Sequence, residues 1–192
     1  MLYKLLPDGR RQVVEFLQTG DVFGMSAAPV RDCWAETLVA TSCTAFDRSV
    51  LERSPALAQS LNASLFSQLR GLHEHVMLLG RKSASERIAS FLMRFIPGRG
   101  GGECPGPPKG DDSARLPLAM TRLEIADFLG LTIETVSRVL TRLKGRGILS
   151  IKKLDEVGVS DVCRPCRLSG RYLANGRWCS SRADTRLRDP ST

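Results

Sequence analysis

The stretch TRLEIADFLGLTIETVSRVLTRLKGRG, residues 121–147, decides the fold. Thr121 with Glu124 three residues on has the chemistry of a capping box, in which hydroxyl and carboxylate each take one orphan amide of the first helical turn. The helix so opened presents Leu123, Ile125, Ala126 and Leu129, and Gly130 ends it where the chain needs a positive φ. Thr132 is then expected to cap a second helix, with Ile133, Val136, Val139, Leu140 and Leu143 as its apolar face. Counting Arg122 as position 1, the small Ala126 falls at position 5, Gly130 at position 9 and Val136 at position 15. That spacing predicts a helix-turn-helix, because the small residue lets two helices cross closely and the glycine makes the turn.

Near the start of the second helix, Glu134, Thr135, Ser137 and Arg138 are the residues that packing does not need. Arg can donate two bonds to guanine O6 and N7, Glu can accept from cytosine N4, and Ser or Thr can serve a phosphate or a base edge. A Glu/Arg pair four residues apart is equally the spacing of an intrahelical ion pair, so on its own it decides nothing. Charge placement points the same way as the motif. Residues 1–112 hold 13 basic and 12 acidic side chains, whereas residues 113–154 hold 8 basic against 3 acidic. The positive field is concentrated where a polyanion would bind.

The rest of the chain of 192 residues has the composition of a globular protein, 42% hydrophobic and 25% charged. No run approaches the roughly 18 apolar residues of a membrane span, and MLYKLLPDGRRQ turns charged too early for a signal peptide, so a cytoplasmic protein without membrane partners is expected. Six cysteines in that setting leave metal, redox or buried-thiol roles open, and the two histidines, His73 and His75, are read as solvated or interface residues. Val13, Val14, Phe16 and Leu17 after a DGRR turn, then Val22-Phe23-Gly24 and Thr37–Ala40, predict short strands. Fifty residues of this kind make only part of an antiparallel sheet domain, which gives the chain the look of one that begins inside a larger fold. Pro55 opens a long helix on which Leu65, Leu69, Leu72, Val76 and Leu79 are spaced 4, 3, 4 and 3, the seam of a parallel helix pair between two copies. An ordinary amphipathic helix packed on its own domain is the other reading of that stripe. Ser83 with Glu86 caps a further helix that carries Ile88, Ala89, Leu92, Met93 and Phe95-Ile96 to Pro97, and residues 98–113 read as a flexible connector.

With these residues in place, the sequence resembles the Crp/Fnr transcription regulators, and within them the Fnr- and FixK-like branch. The E-x-x-S-R signature of that branch stands as Glu134, Ser137 and Arg138 inside LGLTIETVSRVLTRLKGRGIL, and LGRKSASERIASFLMRF (79–95), the leucine helix and DGRRQVVEFLQTGDVFG (8–24) fall in the expected order. The resemblance covers about residues 2–152. It implies an α+β fold: a partial antiparallel β-roll (residues 1–54), a dimerisation helix (55–80) and a winged helix-turn-helix domain (81–154) with the connector inside it. It further implies a homodimer that binds a two-fold symmetric site on double-stranded DNA and recruits RNA polymerase, as an activator under low-oxygen or nitrogen-fixation control. Glu134, Ser137 and Arg138 are the expected base contacts, Thr121, Thr132, Thr135, Arg142 and Lys144 the expected phosphate contacts, and Leu65, Leu69, Leu72, Val76 and Leu79 the dimer seam.

The departures from the family matter as much. Relatives carry more strands ahead of the point where this chain begins, so a truncation or a misassigned start is expected. A cyclic-nucleotide site needs an Arg-Ser or Arg-Thr pair and a Glu after the Gly-rich strand, but Met25 follows Gly24 and Trp34-Ala35-Glu36 stands where the pair should fall. No cyclic nucleotide is expected to bind. An iron–sulfur cluster needs four thiolates, and no cysteine cluster precedes Cys43. No cofactor or metal is expected. Beyond Lys153 the resemblance ends, and the Arg, Ser, Cys and Gly enrichment predicts a disordered tail over 155–192, as a gene read in a shifted frame would give. Cys163-x-x-Cys166 with Cys179 has superficial metal spacing but lacks a fourth ligand. An enzyme finds no nucleophile–base pair, phosphate loop or metal triad here. The competing reading is a dimerising remnant that has lost operator binding.

Overall fold

The computed structural model describes residues 1–25, 33–96, 113–153 and 156–170. Its elements run β1 (Leu2–Leu5), β2 (Arg11–Glu15), β3 (Trp34–Ala35), α1 (Arg48–Arg53), α2 (Pro55–Arg81), α3 (Ala84–Arg94), β4 (Ala114–Pro117), α4 (Arg122–Leu129), α5 (Ile133–Gly145), β5 (Leu149–Lys153), β6 (Glu156–Val159) and α6 (Cys163–Leu168). They divide into two compact units, one of Met1–Arg81 with Ala119–Glu134 and one of Lys82–Leu118 with Thr135–Thr192.

In the first unit, β1 is the middle strand of an antiparallel sheet of order β2-β1-β3. The Asp8-Gly9 turn makes the hairpin: Gly9 sits at φ +83° and its amide donates to the Leu6 carbonyl at 2.9 Å. Val13 and Phe16 are buried, while Trp34 on the two-residue edge strand is exposed. The strands expected at Val22–Gly24 and Thr37–Ala40 do not form, and Phe16-Leu17 lies past the end of β2. Three short strands offer too few partners to hold those segments in a ladder, and Val39 accordingly stays exposed. Pro55 occupies the first position of α2, where its missing amide costs nothing. Leu61 and Leu78 are buried on this helix, whereas Leu65, Leu69, Leu72 and Val76 are exposed and Leu79 is half-buried, so within one chain the seam covers almost nothing. His73 is exposed, but His75 is half-buried and stacks on Phe128 with ring centroids 4.2 Å apart. His75 therefore contributes to packing inside its own unit.

In the second unit, α3 opens on the expected capping box, with the Ser83 amide donating to Glu86 Oε2 at 2.7 Å and the Glu86 amide to Ser83 Oγ at 3.4 Å. Its Ile88, Ala89, Phe91, Leu92 and Met93 form the heart of a core that β4, β5 and β6 extend with Leu116, Leu149, Val157 and Val159. These strands make an antiparallel sheet of order β4-β6-β5. The expectation of a tail disordered from residue 155 is corrected for residues 156–170. Val157 and Val159 point inward from β6, and α6 packs on α3 with Cys163 and Cys166 fully buried. Lys82 Nζ, donating at 2.8 Å to both Ser90 Oγ and the Ser169 carbonyl, ties the end of α6 to α3. Apolar spacing of only two positions in β6 and two thiols in α6 gave the sequence little period to read. Residues 171–192, with Cys179, and the connector except Ser113 lie outside the described residues.

Candidate nucleic-acid interface

The helix-turn-helix forms where its sequence requires. Thr121 Oγ1 accepts the Glu124 amide at 3.2 Å, and Glu124 Oε2 accepts the Thr121 amide at 2.6 Å and the Thr121 hydroxyl at 2.9 Å. Gly130 closes α4 at φ +59°, and the Leu131 amide donates back to the Ala126 carbonyl at 3.1 Å. After three intervening residues, Gly130, Leu131 and Thr132, α5 begins at Ile133. Of the apolar slots read from the sequence, Ile125, Ala126 and Leu129 are buried on α4, and Val136, Val139, Leu140 and Leu143 on α5. Two differ: Leu123 is 49% and Ile133 39% exposed, and Phe128 takes an inward place on α4. Both exposed residues stand in the first turn of their helices, at the margin of the buried stripe, where a helical period does not discriminate.

A helix turns about 100° per residue. Glu134, Ser137 and Arg138 therefore lie within one sector, opposite the stripe of Val136, Val139 and Leu143. Glu134 and Arg138 are exposed and Ser137 is half-buried. Thr141, also exposed, continues the same sector by a further turn, which its spacing from Arg138 would have revealed. Arg142 and Lys144 are exposed in the last turn, with Arg146 exposed just beyond. The acid at the start of α5 and the cations at its end both match the helix dipole. Thr132 is exposed and Thr135 half-buried. Thr121 is exposed as well, but its hydroxyl is engaged in the capping box as donor and acceptor. The seam residues belong to a different element, α2. Among the described residues no group of three or more His, Cys, Asp or Glu could hold a metal, and no helix is long and apolar enough to cross a membrane.

A helix-turn-helix whose second helix presents a charged sector, followed in sequence by an antiparallel sheet, defines a winged helix-turn-helix DNA-binding protein. The family model of bacterial regulatory proteins, crp family, matches residues 118–149. The nitrogen fixation regulation protein FixK of Rhizobium meliloti (strain 1021) is 38% identical over 175 residues, covering 91% of this chain and 74% of the relative. The transcriptional activator protein FnrL of Cereibacter sphaeroides is 35% identical over 174 residues, covering 85% of this chain and 66% of the relative. The solved structure of FixK2 from Bradyrhizobium japonicum matches with a TM-score of 0.71 and 36% identity, over 87% of this chain and 81% of that one. The chain spans 62% to 74% of the length of the first curated relatives it matches. It belongs to the Crp/Fnr family of bacterial transcription regulators, on its FixK-like branch.

Proposed function

We propose that this regulator binds a two-fold symmetric promoter site as a homodimer in the cytoplasm and activates transcription by engaging RNA polymerase, under low-oxygen or nitrogen-fixation control. The single observation that carries the reading is the exposed sector of α5, where Glu134, Ser137 and Arg138 stand together opposite the buried stripe. Base edges are read by Arg138 and Glu134 with Ser137. Phosphates are held by Thr132, Thr135, Arg142 and Lys144 and, through the α4 terminus, at Thr121. Leu65, Leu69, Leu72, Val76 and Leu79 meet their copies in the partner, which would cover an apolar stripe that is mostly exposed in the single chain. Nitrogen-fixation control is supported by the name of the FixK relative, a nitrogen fixation regulation protein, and activation by that of FnrL, a transcriptional activator protein. The protein acts by binding, without catalysis and without a cyclic nucleotide, since Trp34, Ala35 and Glu36 replace the phosphate-binding pair. Fluorescence anisotropy with a symmetric Fnr-like duplex and a scrambled duplex tests this. Binding at least about a thousandfold tighter to the symmetric duplex is expected; equal affinity for the two would overturn it.

A further inference from the structure

Two thiols of the second unit take no part in DNA binding as described above. Cys163 and Cys166 stand three residues apart on α6, and both are fully buried. Three residues along a helix make a rotation of about 300°, so the two side chains leave α6 on the same side, which is the side packed in the core with α3. Val162 and Pro165, also buried, give the pair apolar neighbours. The backbone around them is tied at several points. The Cys163 amide donates to Asp161 Oδ1 at 2.9 Å, the Cys166 amide to the Val162 carbonyl at 3.2 Å, and Ser169 Oγ to the Cys166 carbonyl at 2.6 Å. Lys82 Nζ, bonded to the Ser169 carbonyl, brings an ammonium to the end of the same helix.

This pair selects a ligand by the number and softness of its donors. Zinc takes four ligands and an iron–sulfur cluster four thiolates, and among the described residues no third His, Cys, Asp or Glu joins the two sulfurs. A disulfide fits the helix poorly, since it needs Cβ atoms about 3.5–4.5 Å apart, against about 5–6 Å for residues at this helical spacing. An ion held between two sulfurs fits better: two bonds of about 2.3 Å, the length of a zinc–thiolate bond, span roughly 4–5 Å. Soft thiolate ligands select Cu(I), which binds two sulfurs in line. We infer that Cys163 and Cys166 form a two-thiolate site for a soft monovalent cation of the Cu(I) class. Binding exchanges two thiol protons, released to solvent, for one ion held as S–Cu–S, with no change of oxidation state. The Lys82 ammonium has the sign to offset the single negative charge left behind. A six-residue helix does not hold itself in water, so an ion that pins its turn slows the opening of α6.

The test uses the full chain with Cys33, Cys43, Cys104 and Cys179 replaced by serine, so that only this pair of thiols remains, and the same chain with Cys163→Ser or Cys166→Ser added. Under anaerobic conditions Cu(I) is offered as its coloured bicinchoninate complex, and the colour lost measures the ion withdrawn. The two-thiol chain is expected to take one Cu(I), release two protons and gain a sulfur-to-copper absorption band in the near ultraviolet. Either serine variant is expected to withdraw none at the same chelator concentration, and Zn(II) offered against a chromophoric chelator is not retained. Hydrogen exchange at the Cys166 and Ser169 amides, which donate to the Val162 and Pro165 carbonyls, is expected to slow in the two-thiol chain when Cu(I) is added. That readout alters neither thiol, so it stands even where a serine variant fails to fold. No capture by the two-thiol chain, capture that survives in either serine variant, retention of Zn(II), or exchange at those amides unchanged by Cu(I) would each overturn the site.

Discussion

Arg138 owes its assigned role to its place on a helix, because the same side chain half a turn away would be packed or would point to solvent. Its sector faces opposite Val136 and Val139, and a guanidinium there can meet guanine O6 and N7 together. Arg138→Ala is expected to cost about 1–3 kcal/mol on the preferred site, concentrated at one guanine per half-site. Competition titrations with duplexes altered one base pair at a time measure this, and a uniform loss across sequences would make Arg138 a phosphate contact. Lys144, in the last turn, is expected to behave in that uniform way: its alanine variant weakens all duplexes alike and lowers the slope of log affinity against log salt by about one. At this scale the sequence was readable wherever chemistry is local. Glu124 and Thr121 announce their cap by type and spacing, and Gly130 announces its positive φ. Leu123 and Ile133 share the apolar faces read from the sequence yet stay exposed, because a hydrophobic residue in a first turn obeys the period without having anything above it to pack on.

Helices with caps written into them were legible as elements, and strands whose partners lie far along the chain were not. β4 pairs with β6, about forty residues away, so neither strand's four residues carry the pairing information. The cap of α3 gives a pH-dependent test. The hydrogen bonds from Ser83, with Lys82 nearby, hold the Glu86 carboxyl below the usual glutamate range. A depressed folded pKa means that the ionised form stabilises the fold. That contribution is fully present above the unfolded pKa and is lost as pH falls through the folded one. Glu86→Gln is therefore expected to lower stability by about 1 kcal/mol or less near neutrality, with the difference from the unaltered protein vanishing on acidification. Thermal melts across that range check it, and a gap that persists in acid would point to packing. For α2, Leu72→Glu places a charge in an apolar seam and is expected to shift the protein to monomer in sedimentation equilibrium. An unchanged profile would remove the seam from the dimer.

At the scale of the whole molecule, two reading helices in a symmetric dimer must meet half-sites on one side of the duplex, about one helical turn apart. Inserting about five base pairs between the half-sites turns one of them to the far side, and tight binding is expected to be abolished in gel-shift titrations, whereas a ten-base-pair insertion is expected to restore part of it. The family and its order of elements were legible in the sequence from the helix-turn-helix outward. What stayed hidden were the contacts that join distant stretches, such as Arg11 with Asp127 and α6 with α3, because no local period encodes them. That last contact has a kinetic use. Cys43 is exposed, while Cys163 and Cys166 are sealed between α6 and its neighbours. With Cys33, Cys104 and Cys179 replaced by serine, a thiol-labelling time course should split into a prompt phase at Cys43 and a slow phase at Cys163 and Cys166. The slow phase can advance only as fast as α6 lifts away, so the chain carries its own stopwatch for the opening of the unit that bears the wing.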